Sequence, residues 1–289
     1  MGEPLPYVAN FVCAGLAACT AEALYGCPVN MCKIQMQLYR GNGLYGTCRA
    51  IIASEGVGGL WRGIAPSLHR QLVYGQLRIG IYNSFVDPSS GTGEKMILGV
   101  LSGSVSAAIA NPFDLMLVRQ QAEHSVPKQN RLYHMNSFDN MKLLKDELGL
   151  RGMFKRGVGP TVTRAAVVTC FEQATYTECK HFMMSSRFQF KDNIVTHLAS
   201  SFVAGLIASI ATCPIDVVKT HVMTTKEKNS SVIKKSLGLL RRPHLLYRGF
   251  IPYYLKVGPW AMVMFVAFEQ YKRLYRVMSD HNFVTSIYN

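Results

Sequence analysis

The strongest constraint on this chain is a pattern that occurs three times. "RGIAP" ends at Pro66, "RGVGP" at Pro160 and "RGFIP" at Pro252, so their glycines, Gly63, Gly157 and Gly249, stand 94 and 92 residues apart. Upstream of each lies a second motif, "GCPVNMCK", "ANPFDLML" and "TCPIDVVK", with prolines at Pro28, Pro112 and Pro214 and proline-to-glycine distances of 35, 45 and 35. A period of this kind marks a fold assembled from repeated supersecondary units. Each unit runs an apolar helix into the proline motif, then a basic loop with a short helical pattern, and the glycine motif then opens a second apolar helix. The units are assigned as 1–92, 93–190 and 191–289.

The apolar runs fix the setting. Met96 to Phe113 and Asn193 to Ile215 carry no formal charge and approach or exceed the span of a bilayer core. The pattern predicts an all-α membrane protein with six transmembrane helices, at about 8–36, 64–86, 96–121, 160–181, 193–223 and 252–276. They would surround a central cavity, with short helices in the basic loops. Two spans per unit give all three the same orientation and a pseudo-symmetry axis along the membrane normal. The three loops inside units carry +2, +3 and +6, whereas the two between units carry −1 and +2. Basic loops favour the electrically negative side. Proline inside a helix removes a hydrogen bond and kinks it, so three equivalent kinks would draw helix ends together on that face. Gly99 and Gly103 read as helix-packing contacts.

Composition excludes several classes. Nearly half the residues are apolar although the net charge is +14, which argues against both a soluble enzyme and a nucleic-acid-binding protein. The eight cysteines form no CxxC pair and read as small packing residues; a disulfide framework is not expected in so large and apolar a chain. "GNGLYG" at 41–46 lacks a preceding strand and a following acid, so it reads as a loop rather than a dinucleotide site. His69, His181, His197 and His221 show no metal spacing. No catalytic constellation, cofactor site or metal site emerges, and "NSS" at Asn229 is a sequon with no role in the expected compartment. No basic leader with an apolar core opens the chain, and Pro6 stands where a myristoylation signal needs Ser or Thr, so any organelle address is expected inside it.

Charges within the apolar helices are the candidate site. Seven residues past the repeat glycines stand Arg70, Arg164 and Lys256, about 10 Å along each even-numbered span at ~1.5 Å per residue. Inserted separately they would cost about 8–10 kcal/mol, so they are expected to face one wet cavity. Two readings follow: an anion site, or a structural cluster paired with acids such as Glu22 and Glu172. Eight residues deeper come Arg78, Glu172 and Met264, an asymmetric second layer. Glu172 there could tune charge, carry a proton, or partner Arg164 or Arg78. Arginine can grip a carboxylate through two parallel hydrogen bonds.

These motifs resemble the mitochondrial carrier family over nearly the whole chain. Its Pro-x-Asp/Glu-x-x-Lys/Arg signature, followed by acid–glycine and aromatic–basic–glycine stretches, is matched by "PVNMCKIQMQ" with "EGVGGLWRG", "PFDLMLVRQQ" with "GLRGMFKRG", and "PIDVVKTHVM" with "LLYRG". Within the family, "LHRQLVYGQLRIGIYN", "GPTVTRAAVV", "KDNIVTHLASSFVAG" and "GFIPYYLKVGPW" look most like the oxoglutarate and dicarboxylate carriers, with uncoupling proteins next. "HVMTTKEK" replaces the arginine-and-methionine run of nucleotide carriers.

The resemblance implies a multi-pass, monomeric protein of the mitochondrial inner membrane with its termini toward the intermembrane space. It implies contacts with the bilayer, including cardiolipin at the matrix side, and with small dicarboxylate anions at Arg70, Arg78, Arg164 and Lys256. Lys256 replaces the usual arginine, keeping the charge without the planar fork. A matrix gate would pair Asp114 with Lys219 and Asp216 with Lys33, leave Asn30 and Leu117 uncharged, and brace the ring with Gln37 and Gln121. A cytoplasmic gate would use Lys180, Glu269 and Lys272, with no complete ion pair. The resting protein would therefore open toward the cytoplasm. The implied activity is antiport of 2-oxoglutarate-, malate- or succinate-like dianions, against one another, phosphate or another anion, by alternating access, with exchange expected because an empty cation cluster repels itself. The alternatives are an uncoupling-protein-like proton or anion leak and a non-transporting homologue.

Overall fold

A computed structural model describes residues 6–38, 43–87, 89–133, 137–184, 194–224, 246–247 and 250–288. Arg248, Gly249 and the Asn229 sequon lie outside the described residues, as do the side chains of Lys180, His181 and His197. Every regular element among the described residues is helical.

The first long helix has three parts: α1 (Tyr7–Ala21), a π-helical turn (Glu22–Gly26) and α2 (Cys27–Leu38). The widened turn lies immediately before Pro28, whose ring and missing N–H disturb a regular α-helix. A shorter helix, α3 (Gly43–Glu55), and a 3₁₀ turn (Val57–Trp61) lead into α4 (Ile64–Phe85). The second pair is α5 (Thr92–Ala122) and α7 (Val158–Met184), joined through α6 (Ser137–Lys155). The third is α8 (Ile194–Thr224) and α9 (Phe250–Tyr288). Pro112 and Pro214 lie inside continuous helices.

The repeat glycines have a conformational reason. Gly63 and Gly157 adopt φ of +85° and +75°, where only glycine is unstrained. A Cβ on Gly157 would also stand 2.9 Å from the Met223 side chain. Each thus turns the chain sharply from the loop helix into the next long helix.

Neighbouring helices pack in the order α1, α4, α5, α7, α8, α9, and α9 returns to α1, so the six close a ring. The ring is apolar outside and polar inside. On α5, Ile97, Leu101, Val105 and Ile109 recur every fourth residue and are exposed, whereas Ser102, Ser106, Asn111 and Asp114 are buried. Water-soluble helices place these faces the other way.

Six apolar spans were expected, but among the described residues three helical stretches are long and apolar enough to cross a membrane: Val8–Leu38, Gly93–Ala122 and Phe202–Thr224. All three precede a repeat glycine. The partner helices fall short because their inner faces are polar: α4 carries Arg70, Gln71, Gln76 and Arg78, and α7 carries Arg164 and Glu172. A mean over a window cannot distinguish a cavity-lining face from a soluble helix.

On the loop face, Glu55 joins the first unit to the second. It forms an ion pair with Arg131, lies 3.0 Å from His124 Nδ1 and 3.7 Å from Arg62. Burial pushes the Glu55 carboxyl up, but the Arg131 hydrogen bond and the charges of His124, Arg131 and Arg62 hold it below the usual range.

Candidate functional site

Arg70 and Arg78 on α4, Arg164 and Glu172 on α7, and Lys256 on α9 line one cavity of about 360 Å³ in the middle of the ring. Lys33, Asp114, Asp216 and Lys219 form its floor, contributed by α2, α5 and α8. A second chamber of about 580 Å³ adjoins it, sharing Gln71, Tyr74, Arg78 and Trp260 and continuing past Tyr82, Asn83, Met264 and Phe268.

The floor is closed by ion pairs. Lys33 Nζ donates to Asp216 at 2.7 Å and Lys219 Nζ to Asp114 at 2.7 Å. Tyr253 fills the space above them, its ring 4.2 Å from Lys33 Nζ. At the third position Asn30 and Leu117 make no ion pair; Asn30 Nδ2 instead donates to Glu22 Oε1 at 2.9 Å. The glutamines differ from the expected braces. Gln37 Oε1 accepts from Thr220 at 2.7 Å, one turn beyond Asp216, whereas Gln121 donates to the Arg62 carbonyl at 3.0 Å and so holds the glycine motif rather than an ion pair.

The three central cations do not stand unpartnered. Arg70 Nε lies 3.5 Å from Asp114, Arg164 pairs with Asp216, and Lys256 Nζ lies 3.1 Å from Glu22. Each even-numbered span therefore meets a carboxylate from the span packed beside or across from it. Six basic side chains line the cavity against three acidic ones, with Glu22 behind Lys256. Much of the positive charge is thus answered within the protein. Among the described residues Arg78 has no carboxylate partner; it donates to Tyr74 Oη at 3.5 Å. Glu172 is exposed to the cavity and pairs with neither Arg164 nor Arg78.

Glu22 is the residue that sequence reasoning underrated. It is fully buried and accepts from five side chains: Ser67 at 2.7 Å, Asn30 and Gln71 at 2.9 Å, and Trp260 and Lys256 at 3.1 Å. These donors come from the first, second and last long helices, so one carboxylate fastens the ring where its ends meet. A buried charge is stable when its lone pairs are satisfied this completely.

A ring of helix pairs around a basic cavity, closed at one end by proline-motif ion pairs, is the architecture of a solute carrier. The chain belongs to the mitochondrial carrier family, whose model, "Mitochondrial carrier protein", matches residues 3–87, 88–187 and 190–279. It is a multi-pass mitochondrial inner-membrane transporter of small solutes, not an enzyme. Among its relatives are the "Dicarboxylate carrier UCP2" of Danio rerio, 33% identical over 91% of each chain, and "Mitochondrial uncoupling protein 2" of Arabidopsis thaliana, 31% identical over 94% of this chain and 95% of the relative. The "Putative mitochondrial transporter UCP3" of Mus musculus is 32% identical over 93% of each. These names correct the emphasis of the sequence reading: they point to the uncoupling-protein group and do not single out the oxoglutarate branch.

Proposed function

We propose that this chain is an uncoupling-protein-like carrier that passes small anions, dicarboxylates among them, through six transmembrane helices by alternating access without obligatory counter-exchange. One observation carries this reading: Arg70, Arg164 and Lys256 are each paired with a carboxylate. An unpaired cluster would repel itself whenever the carrier emptied, and only a bound anion would let it close. With each of these three cations already partnered, that electrostatic barrier to reorientation shrinks. Arg78, which has no carboxylate partner among the described residues, is the first contact for an entering carboxylate in the second layer, and Arg70, Arg164 and Lys256 take the anion over as it descends.

The pairs Lys33–Asp216 and Lys219–Asp114 act as the matrix gate. Glu269 and Lys272 pair with each other on α9, 2.6 Å apart, rather than across the ring. This supports a conformation open toward the cytoplasm, with the basic loops and cardiolipin contacts on the matrix side, the termini in the intermembrane space, and a monomer as the transporting unit. Dicarboxylate antiport is the second reading, favoured by the cationic surplus of the cavity.

Reconstituted protein separates cargo classes. Uptake of labelled malate, succinate and 2-oxoglutarate is expected to exceed that of ATP by at least about tenfold, given the distinct contacts each needs. Fatty-acid-dependent proton flux without any substrate would support the leak. ATP as the best cargo, or no flux of any solute, would overturn the proposal.

A further inference from the structure

We propose that Cys32 and Cys48 form a redox-active dithiol that takes a low-molecular-weight disulfide as its oxidant. Their sulfurs stand 2.8 Å apart, in direct contact. Cys32 lies on α2 and is buried, while Cys48 on α3 is partly open to solvent. Met31 and Ile51 are buried around them, with Leu44 and Leu60 packed alongside, so the two sulfurs are held in place. All eight cysteines are free thiols, and sequence spacing gave no reason to single out this pair: they are 16 residues apart and join only because α3 folds back on α2.

The two positions divide the chemistry. The accessible Cys48 thiolate attacks one sulfur of a low-molecular-weight disulfide such as oxidised glutathione, R–S–S–R, forming a mixed disulfide and expelling one thiolate. Cys32 then attacks the Cys48 sulfur, the Cys32–Cys48 bond forms, and the second thiolate leaves. The two thiol protons end on the two expelled thiols, so one disulfide is reduced for each one made. The new bond ties α3 to the turn of α2 that carries Lys33. A disulfide framework was not expected in this chain, and none is needed: this is a single reversible site.

The test treats the full chain, purified in detergent, with oxidised glutathione, blocks remaining thiols with N-ethylmaleimide, and maps the cysteines by mass spectrometry. The expected product is a Cys32–Cys48 linked peptide, two hydrogens lighter than its reduced parts and released by dithiothreitol. In Cys32→Ser, Cys48 should retain glutathione, because no neighbouring thiol resolves the mixed disulfide; in Cys13→Ser the link should form as in the wild type. Alkylation of both thiols in the oxidised wild type would overturn the proposal. So would Cys48 holding as much glutathione in the wild type as in Cys32→Ser.

Discussion

Replacing Glu22 by alanine should lower stability by about 3–5 kcal/mol, the cost of removing one partner from a buried ion pair. The loss is large because five donors, not one, lose their acceptor: Lys256, Trp260, Gln71, Ser67 and Asn30. Lys256 would be left charged with no carboxylate partner among the described residues. Thermal unfolding in detergent checks this, and Glu22→Ala should melt well below the wild type. The double variant Glu22→Ala with Lys256→Met should recover much of the loss, since removing both charges avoids stranding one. An unchanged melting temperature in the single variant would show that the carboxylate does not fasten the ring.

Arg164→Ala should reduce transport by about 100-fold, equivalent to ~2.8 kcal/mol at ~1.4 kcal/mol per decade, within the range for truncating a buried charge partner. Arg164 sits between Asp216 and the Tyr253 ring, whose centroid is 5.8 Å from the guanidinium carbon. Its removal takes a cation from the cavity and disturbs the Lys33–Asp216 pair beneath it. Arg164→Lys should retain more activity, because it keeps the charge while losing the planar fork. Initial rates of labelled malate uptake in proteoliposomes give the measurement. Arg164→Ala transporting within twofold of the wild type would remove the cavity from the mechanism.

The convergence of Arg70, Arg164 and Lys256 on one cavity was legible in the sequence for a symmetry reason. Equal offsets from three equivalent glycines put side chains at equal depth, and a charge in an apolar helix has nowhere else to go. The partners of those charges were less legible. Asp114 and Asp216 belong to the motifs, and their pairs with Lys219 and Lys33 are what the family resemblance implies, but their second contacts, to Arg70 and Arg164, depend on how the helices lean together. Glu22 was legible as a possible partner of the central cations, but its place at the centre of five donors was not, because it has no equivalent in the other two units and sits in the π-helical turn before Pro28, which shifts the helix face it occupies. Nothing in the repeat singles out Tyr253 or Trp260, yet each presents its polar atom to a charge network. The even-numbered spans illustrate a limit of hydropathy itself: a helix with one lipid face and one wet face averages to neither.

The proposal that the empty carrier can turn rests on the carboxylates that partner Arg70, Arg164 and Lys256. Its most direct test is the initial rate of malate uptake into vesicles preloaded with malate, divided by the rate into vesicles holding none. The expected ratio is about one to five for the wild type, since no large electrostatic barrier separates the empty states, and higher for Glu22→Gln, which leaves Lys256 uncompensated. A wild-type ratio of about 100 or more would contradict it and return the protein to obligatory exchange.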